Sequence, residues 1–429
     1  MGQALLAMAR ASLAIPISCA ANLLAKRCAA AKLNCVMHST KIPNFYSLFS
    51  GCGGLDLGFV QAGFSPRLSV DRDANALSVH STYLGCPVQE LDLAASDPAI
   101  PRSASVDVLL AGSPCQGFST LGQRRVDDPR NSLLLVASRL ADKHRPKVVV
   151  AENVLGALSG EHRLYWETLH NSMRSLGYRT KDFNINSADF GVAQNRRRVV
   201  MIAWRTRALD VPDPERMNQV KLRDVLTIAD DIPNHTPVEL PINSKHRKIS
   251  EKIGPGQKLT NSRGGKYAVH TWEIPEVFGK TSKKQQEVLN TILRLRRQER
   301  RRDFGDADPV STAVLEKMFG LEILDELVQK GYLRKYDEFH DLTNTFNGKY
   351  RRLEMDGMSR TVDTRFGDYT SVLHPTEHRS FTVREAARIQ GFPDEVVFRG
   401  TIKEQFRMIG NAVPPPMAFA VAKSVRHLL

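Results

Sequence analysis

The chain has 429 residues, 42% apolar and 25% charged, with a formal net charge of +14. That balance excludes a disordered polyelectrolyte, and the absence of low-complexity tracts or repeats excludes a solenoid. No stretch approaches the ~20 consecutive apolar residues that a spanning helix needs, so membrane insertion is disfavoured. Excess Lys and Arg attract polyanions by releasing condensed counterions, which points toward nucleic acid.

A chain of this length exceeds what one hydrophobic core serves, so a main domain and a smaller second one are expected. The six cysteines are Cys19, Cys28, Cys35, Cys52, Cys86 and Cys115. They are too sparse for a disulfide framework, and none forms a CxxC pair, so no metal site is expected and a reducing, cytoplasmic setting is. Residues 1–40 are Ala-rich, carry Arg10, Lys26, Arg27 and Lys32, and have no acidic residue. A targeting peptide shares that bias, yet no basic side chain precedes Leu5 and no clean cleavage pattern follows. The favoured readings are a disordered extension or a start assigned too early, with Met37 as the true first residue.

From Asn44 short apolar runs alternate with amphipathic segments, the pattern of a mostly parallel sheet with crossover helices. Phe45–Phe49 predicts a strand and Leu55–Ala62 a helix; Arg67–Val70 and Ala74–Tyr83 repeat the pair. Strands follow at Val106–Ala111 and Lys147–Ala151, with a helix over Ser132–Lys143 between them. A helix over His162–Leu176 precedes a last strand, Arg198–Trp204. These elements define a doubly wound, Rossmann-like α/β domain over residues 41–206, in which ligands bind beyond the carboxyl ends of the strands.

After residue 206 the alternation stops, and residues 207–350 form a polar, basic second module. Ser282–Arg302 predicts a basic helix carrying Arg294, Arg296, Arg297, Arg300, Arg301 and Arg302. Thr312–Gly331 gives two apolar-periodic stretches around Gly320, and Tyr332–Tyr336 a short strand. Helix, turn, helix and strand suggest a winged-helix-like unit, while a helical pair with solvated charges reads the same residues. Residues 351–429 return to the first domain, and the helical spacing after residue 381 requires the tail to pack back on it.

Chemistry concentrates where strands end. The first strand runs into Phe49-Ser50-Gly51-Cys52-Gly53-Gly54, a turn that lets backbone approach a ligand at a helix N-terminus. Asp71 ends the second strand, where an acid takes ribose hydroxyls. The turn is not the dinucleotide GxGxxG, which argues against a nicotinamide oxidoreductase and for a cofactor such as S-adenosylmethionine. Then Ser113-Pro114-Cys115-Gln116 places a lone cysteine on a Pro-stiffened loop after a strand, and Glu152 follows the next strand. A lone cysteine is more often a small buried apolar residue; here its place after a strand, with Glu152 after the next, overturns that prior. A thiolate and a carboxylic acid in one pocket suit a pyrimidine. Addition of the thiolate to carbon 6, with an acid at ring nitrogen 3, makes carbon 5 enamine-like and able to attack a sulfonium methyl. The thiol pKa must then fall below the free value of ~8.5.

With these motifs in order, the chain resembles the cytosine-5 DNA methyltransferase family of the bacterial, restriction-modification type. The resemblance runs from about residue 45 to the end, leaving out the N-terminal forty residues and the 207–350 module. It implies that Phe49, Gly51, Gly53 and Gly54 contact the cofactor, Asp71 the ribose and Asp92 the adenine amino group, with Pro114 and Asn411 completing the pocket. Pro114-Cys115-Gln116 is similar to the catalytic motif and Glu152-Asn153-Val154 to the motif that protonates or holds the base. Gln194-Asn195-Arg196-Arg197-Arg198 resembles the motif whose arginines, Arg196 and Arg198, organise the active site and hold the cytosine carbonyl. Arg384 to Pro393 resembles the supporting ninth motif, and Gln405 to Pro414 the tenth, which closes the cofactor pocket. Ser47 stands where many members have Asp, and Ala193 where Pro is common; neither is expected to touch a chemical group.

The resemblance makes 207–350 a target-recognition domain for double-stranded DNA, from which the cytosine is flipped out. It implies a monomer on DNA, associated with the bacterial nucleoid, with a cognate restriction endonuclease acting separately. The rival substrate is RNA, as in a transfer-RNA-modifying relative; the rival class is a catalytically idle DNA-binding protein. The large second module opposes the first, and intact Cys115, Glu152, Arg196 and Arg198 the second.

Overall fold

The computed structural model describes residues 42–100, 105–114, 129–229, 231–298 and 307–429. Residues 1–40, Cys115 and Arg300 to Arg302, all named above, lie outside them.

Seven strands make the central sheet: β1 (Asn44–Leu48), β2 (Ser65–Asp71), β3 (Val88–Glu90), β4 (Val108–Ala111), β5 (Val148–Val154), β6 (Arg179–Asn186) and β7 (Arg197–Trp204). Their order is β3-β2-β1-β4-β5-β7-β6. All pairings are parallel except those of β7, which runs antiparallel to both β5 and β6. The order reverses between β1 and β4, so the crevice for ligands opens at the carboxyl ends of those two strands.

The central strands are apolar on successive residues because both faces are covered. Phe45, Val108, Leu110, Val148, Val150 and Ile202 face one layer, formed by α1 (Gly54–Gln61) and the C-terminal helix. Leu48, Leu109, Val149, Ala151 and Met201 face the other, formed by α3 (Val136–His144) and α4 (Arg163–Ser175); α2 (Ala74–Leu84) joins β2 to β3. The predicted strands and helices of this region all form. The helix expected from Ser132 begins instead as a 3-10 turn over Pro129–Leu135 and becomes α-helical at Val136. The edge strands β3 and β6 were not predicted: half-solvated, they lack a continuous apolar run.

Further along come α5 (Lys245–Lys252), α6 (Lys283–Gln298), β8 (Val310–Ser311), α7 (Thr312–Phe319), α8 (Leu321–Gln329), β9 (Leu333–Tyr336) and β10 (Phe339–Leu342). The last three strands form an antiparallel sheet in the order β8-β10-β9. Helix, strand, helix, helix, strand, strand with that order is a winged-helix arrangement, and it surrounds its own core of Val288, Leu289, Ile292, Leu315, Leu324, Leu327 and Leu342. The break at Gly320 lies where expected, with φ 84°. The arginine run of α6 is not one solvated face: Arg294 and Arg297 are exposed, whereas Arg296 is buried in an ion pair with Asp341.

The tail packs back as its spacing requires. Helices α9 (Val383–Gln390), α10 (Ile402–Asn411) and α11 (Pro415–Arg426) close the chain. Met417, Ala418 and Val421 of α11 lie against Leu55 and Phe59 of α1. The fit is close enough that a β-carbon on Gly54 would lie 2.3 Å from the Val413 carbonyl oxygen.

Candidate active site

At the end of β1 the backbone turns sharply. Phe49 takes φ 55°, a left-handed conformation that a side chain rarely adopts, and Gly51 and Gly53 follow at 53° and 84°. Such strain persists only where the surroundings impose it, and it concentrates at functional sites. Two elements impose it. The Asp71 carboxylate, at the end of β2, accepts the Gly51 N–H at 2.8 Å and the Asp73 N–H at 2.9 Å. Burial pushes this carboxyl up from its ordinary value, against the downward pull of those N–H groups. Beneath the turn, the buried Asp56 carboxylate accepts hydroxyl hydrogen bonds from Ser47 at 2.6 Å and Ser69 at 2.8 Å and meets His80 Nε2 at 2.7 Å. Ser47 therefore does touch a chemical group, contrary to expectation: it helps anchor the helix that begins at the glycine turn. Ala193 holds only structure, its carbonyl accepting the Ser359 N–H at 2.9 Å. Cys52, within the turn, is pushed up to about 12 by burial and stays a neutral thiol.

A cavity of about 550 Å³ opens over this turn. Its walls bring together Phe49, Gly51 and Gly54, Asp71, Asp92, Pro114, Glu152, Arg196, Arg198 and Asn411. Gly53 alone of the expected cofactor residues is not on the wall; it lies behind the turn, where a β-carbon would strike His80 and Tyr83 at 2.6 Å. Cys115 falls outside the described residues, but its neighbour Pro114 stands on the wall beside Glu152. The residues fit an adenosine-bearing cofactor. The hydroxyls of Ser50 and Ser113 are buried there with no hydrogen-bond partner among the described residues. Among the described residues no cluster of His, Cys, Asp and Glu is arranged for a metal.

Glu152 and Arg198 form an ion pair at 2.8 Å, both side chains about 10% exposed. Strand register explains it. Glu152 pairs with Val200 and Val154 with Arg198, so the two charged side chains lie diagonally on one face. β5 runs two residues past Glu152, so this acid sits in the strand's last turn of pleat rather than after it. The next residue also matters: Asn153 Nδ2 donates to the Ser113 carbonyl at 3.4 Å, tying β5 to the loop that leads to Cys115.

Arg196 behaves differently from Arg198. Its guanidinium donates to the carbonyls of Val362 and Gly410, each at 3.0 Å, so it fastens the returning chain and the end of α10 to the site. Gln194 extends this fastening, accepting the Val362 N–H at 2.9 Å and donating to Gln390, which in turn donates to the Ala412 carbonyl at 2.6 Å. The sequence placed both glutamines in motifs but assigned neither this fastening role; both are buried and polar. Arg384 braces its helix, donating to the carbonyls of Pro233, Pro393 and Val396.

The fold is shared with a solved DNA modification methyltransferase encoded within an E. coli prophage. The two align at TM-score 0.55 and 24% identity over 90% of this chain and 99% of that one. In sequence, the chain is 32% identical to the Type II methyltransferase M.HgiCII of Herpetosiphon aurantiacus, covering 89% of this chain and 96% of the relative. It is 31% identical to the Type II methyltransferase M.AgeI of Thalassovita gelatinovora, covering 88% and 98%. The family described as C-5 cytosine-specific DNA methylase matches residues 43–427. The chain belongs to that family and is a DNA cytosine-5 methyltransferase.

Proposed function

We propose that the enzyme transfers the methyl group of S-adenosylmethionine to carbon 5 of a cytosine flipped out of double-stranded DNA, through a covalent adduct at Cys115. The observation that carries this reading is the single cavity whose walls hold both the Phe49, Asp71 and Asp92 grip and the Glu152–Arg198 pair. When bound, S-adenosylmethionine supplies an electrophilic methyl group for a carbon nucleophile. Asp71 and the glycine turn hold its ribose, and Asp92 its adenine.

The chain's own residues make carbon 5 nucleophilic. The Cys115 thiolate adds to carbon 6, and Glu152 places a proton at ring nitrogen 3, so the electron pair of the broken double bond becomes available at carbon 5. Once carbon 5 carries the methyl group, its proton leaves to a base and the nitrogen 3 proton returns to Glu152, which restores the carbon 5–carbon 6 double bond and expels the thiolate. Arg198 orients Glu152 and faces the pyrimidine carbonyl with its remaining donors. Arg196 acts one step removed, through the backbone it fastens.

The domain division supports the same reading: 41–206 and 351–429 build the cavity, and 207–350 recognises the target. The relatives' names as Type II methyltransferases favour a restriction-modification role; a separately acting endonuclease and a monomer on DNA complete the reading.

The test incubates the protein with tritiated S-adenosylmethionine and mixed genomic DNA or total RNA, then maps 5-methylcytosine by bisulfite sequencing. Label in DNA at one fixed sequence context is expected. Label in RNA alone, or in neither, overturns the reading.

A further inference from the structure

Beside the cavity lies a more open cleft of about 940 Å³. The two share Arg196, Arg198 and Asn411, so they are neighbouring chambers of one groove. Arg197, Arg351 and Arg360 line the outer chamber. Lys258 joins them: a β-carbon built on Gly348 would lie 2.7 Å from Lys258 Cδ and 3.3 Å from a terminal nitrogen of Arg351.

Backbone pairing gathers these cations from distant parts of the chain. Leu259 and Lys349 exchange two N–H to carbonyl bonds of 2.8 Å, and Arg352 donates its N–H to Gln257 at 3.0 Å. Ser359–Arg360 pairs in parallel with Gln194–Asn195, which sets Arg360 beside the arginine-rich segment of the active site.

Among the described residues, the buried arginines are engaged. Arg352 donates to the carbonyls of Ser250, Ile253, His374 and Glu377, and Arg379 holds Glu377 and Glu385. Lys258, Arg351 and Arg360 differ, since none forms an ion pair among the described residues, and Arg351 Nε is buried without an acceptor. The carboxylates lining the cleft lie elsewhere, Glu354 against Gly256 and Asp363 against Arg365. Burial and the neighbouring positive charges pull both Lys258 and Arg351 below their ordinary values. Like charges held together and partly desolvated cost stability, and an incoming anion offsets that cost.

The winged-helix unit offers no equivalent on the second helix of its helix-turn-helix. Helix α8 exposes Glu322, Asp325 and Glu326, which a DNA backbone would repel.

We propose that Lys258, Arg351 and Arg360 form a phosphate clamp that grips the DNA strand from which the target cytosine is drawn. The clamp rests on the reading of the adjoining cavity as the base pocket. It sets the register of the strand at the pocket mouth and carries no sequence information, because phosphates are the same at every step. The DNA-facing charge of this enzyme then lies on the segments around Lys258, Arg351 and Arg360 that border the pocket, and not on the acidic helix α8.

The test measures methyl transfer to sonicated bacterial genomic DNA across salt from about 50 to about 200 mM, the range over which phosphate contacts lose affinity steeply. It compares wild type with Arg351→Gln, Arg360→Gln, their combination and the charge control Asp325→Asn. Each arginine variant should raise the KM for DNA about tenfold, as expected for losing a charged hydrogen bond. Each should also flatten the dependence of log KM on log salt by about one unit. The KM for S-adenosylmethionine and kcat at saturating DNA should hold, and Arg351→Lys, which keeps the charge, should recover most of the slope. Arg360 is exposed, so its variant reports even where Arg351→Gln disturbs folding. An unchanged salt slope in the combined variant, or a KM for S-adenosylmethionine that rises in step with that for DNA, would overturn the clamp while leaving the methyltransferase intact. A wild-type protein that labels no DNA would overturn the reading beneath it.

Discussion

The sheet domain and the segment from 207 to 350 hold themselves together by different means. In the sheet, runs such as Val148–Ala151 are buried on both faces, and recognition falls to backbone at the strand ends: the Phe49 to Gly54 turn and the N–H groups on Asp71. In the later segment the cores are small, one around Leu289, Leu315 and Leu342 and another around Ile249, Leu259 and Ile274, and buried charges brace the loops. Arg296 on Asp341 is one example, and Arg352, just past the segment, braces it by donating to the carbonyls of Ser250 and Ile253. The sheet is a rigid frame for chemistry, whereas the second region is a polar scaffold whose stability depends on a few pairs.

That contrast predicts where substitutions act. The largest effect falls in the frame: Glu152→Gln should lower kcat by about 10²–10⁴, the usual worth of a positioned proton donor, with the KM for S-adenosylmethionine little changed. Steady-state kinetics with both substrates checks it. In the scaffold, Asp341→Ala leaves Arg296 buried and unpaired and should cost roughly 3–5 kcal/mol of stability. Chemical denaturation reads this, and S-adenosylmethionine affinity, measured by calorimetry, should be spared. If cofactor binding falls equally, the two regions are not energetically separate. A milder effect follows at the seam between α1 and the tail, where Gly54→Ala overpacks against the Val413 carbonyl and should cost about 1–3 kcal/mol and weaken cofactor binding. The smallest is a null result: Cys52, pushed up to about 12, is thiolate in only about one molecule in ten thousand at pH 8. Alkylation followed by mass spectrometry should leave it unmodified in the native protein.

Legibility in the sequence follows the same division. The strands β1, β4, β5 and β7 were readable because burial on both faces demands apolar runs, and β2 by its short run up to Val70, while β3 and β6 alternate with polar residues and were missed. Phe49, Asp71, Pro114 and Glu152 were found because each follows or ends such a strand, and the structure brings them to one wall. Gln194, Gln390 and Asn153 were named as motif members, but what they fasten was not legible, since their partners lie up to 196 residues away. The winged-helix order could be suspected from Gly320 and its flanking periodicity, but the inward turn of Arg296 and the gathering of Lys258, Arg351 and Arg360 depend on tertiary pairing alone.

The central claim, that the frame carries the chemistry through Cys115 with Glu152 beside it, is tested most directly by trapping the adduct. Duplex DNA containing the enzyme's mapped site with 5-fluorocytosine at the target lacks the carbon 5 proton whose loss releases the thiol. With S-adenosylmethionine present, the wild type should form a protein–DNA species stable to denaturing electrophoresis, with the nucleotide mass on the peptide that contains Cys115, and Cys115→Ser should form none. A trapped species in the Cys115→Ser variant, or nucleotide mass on another residue, would contradict the account.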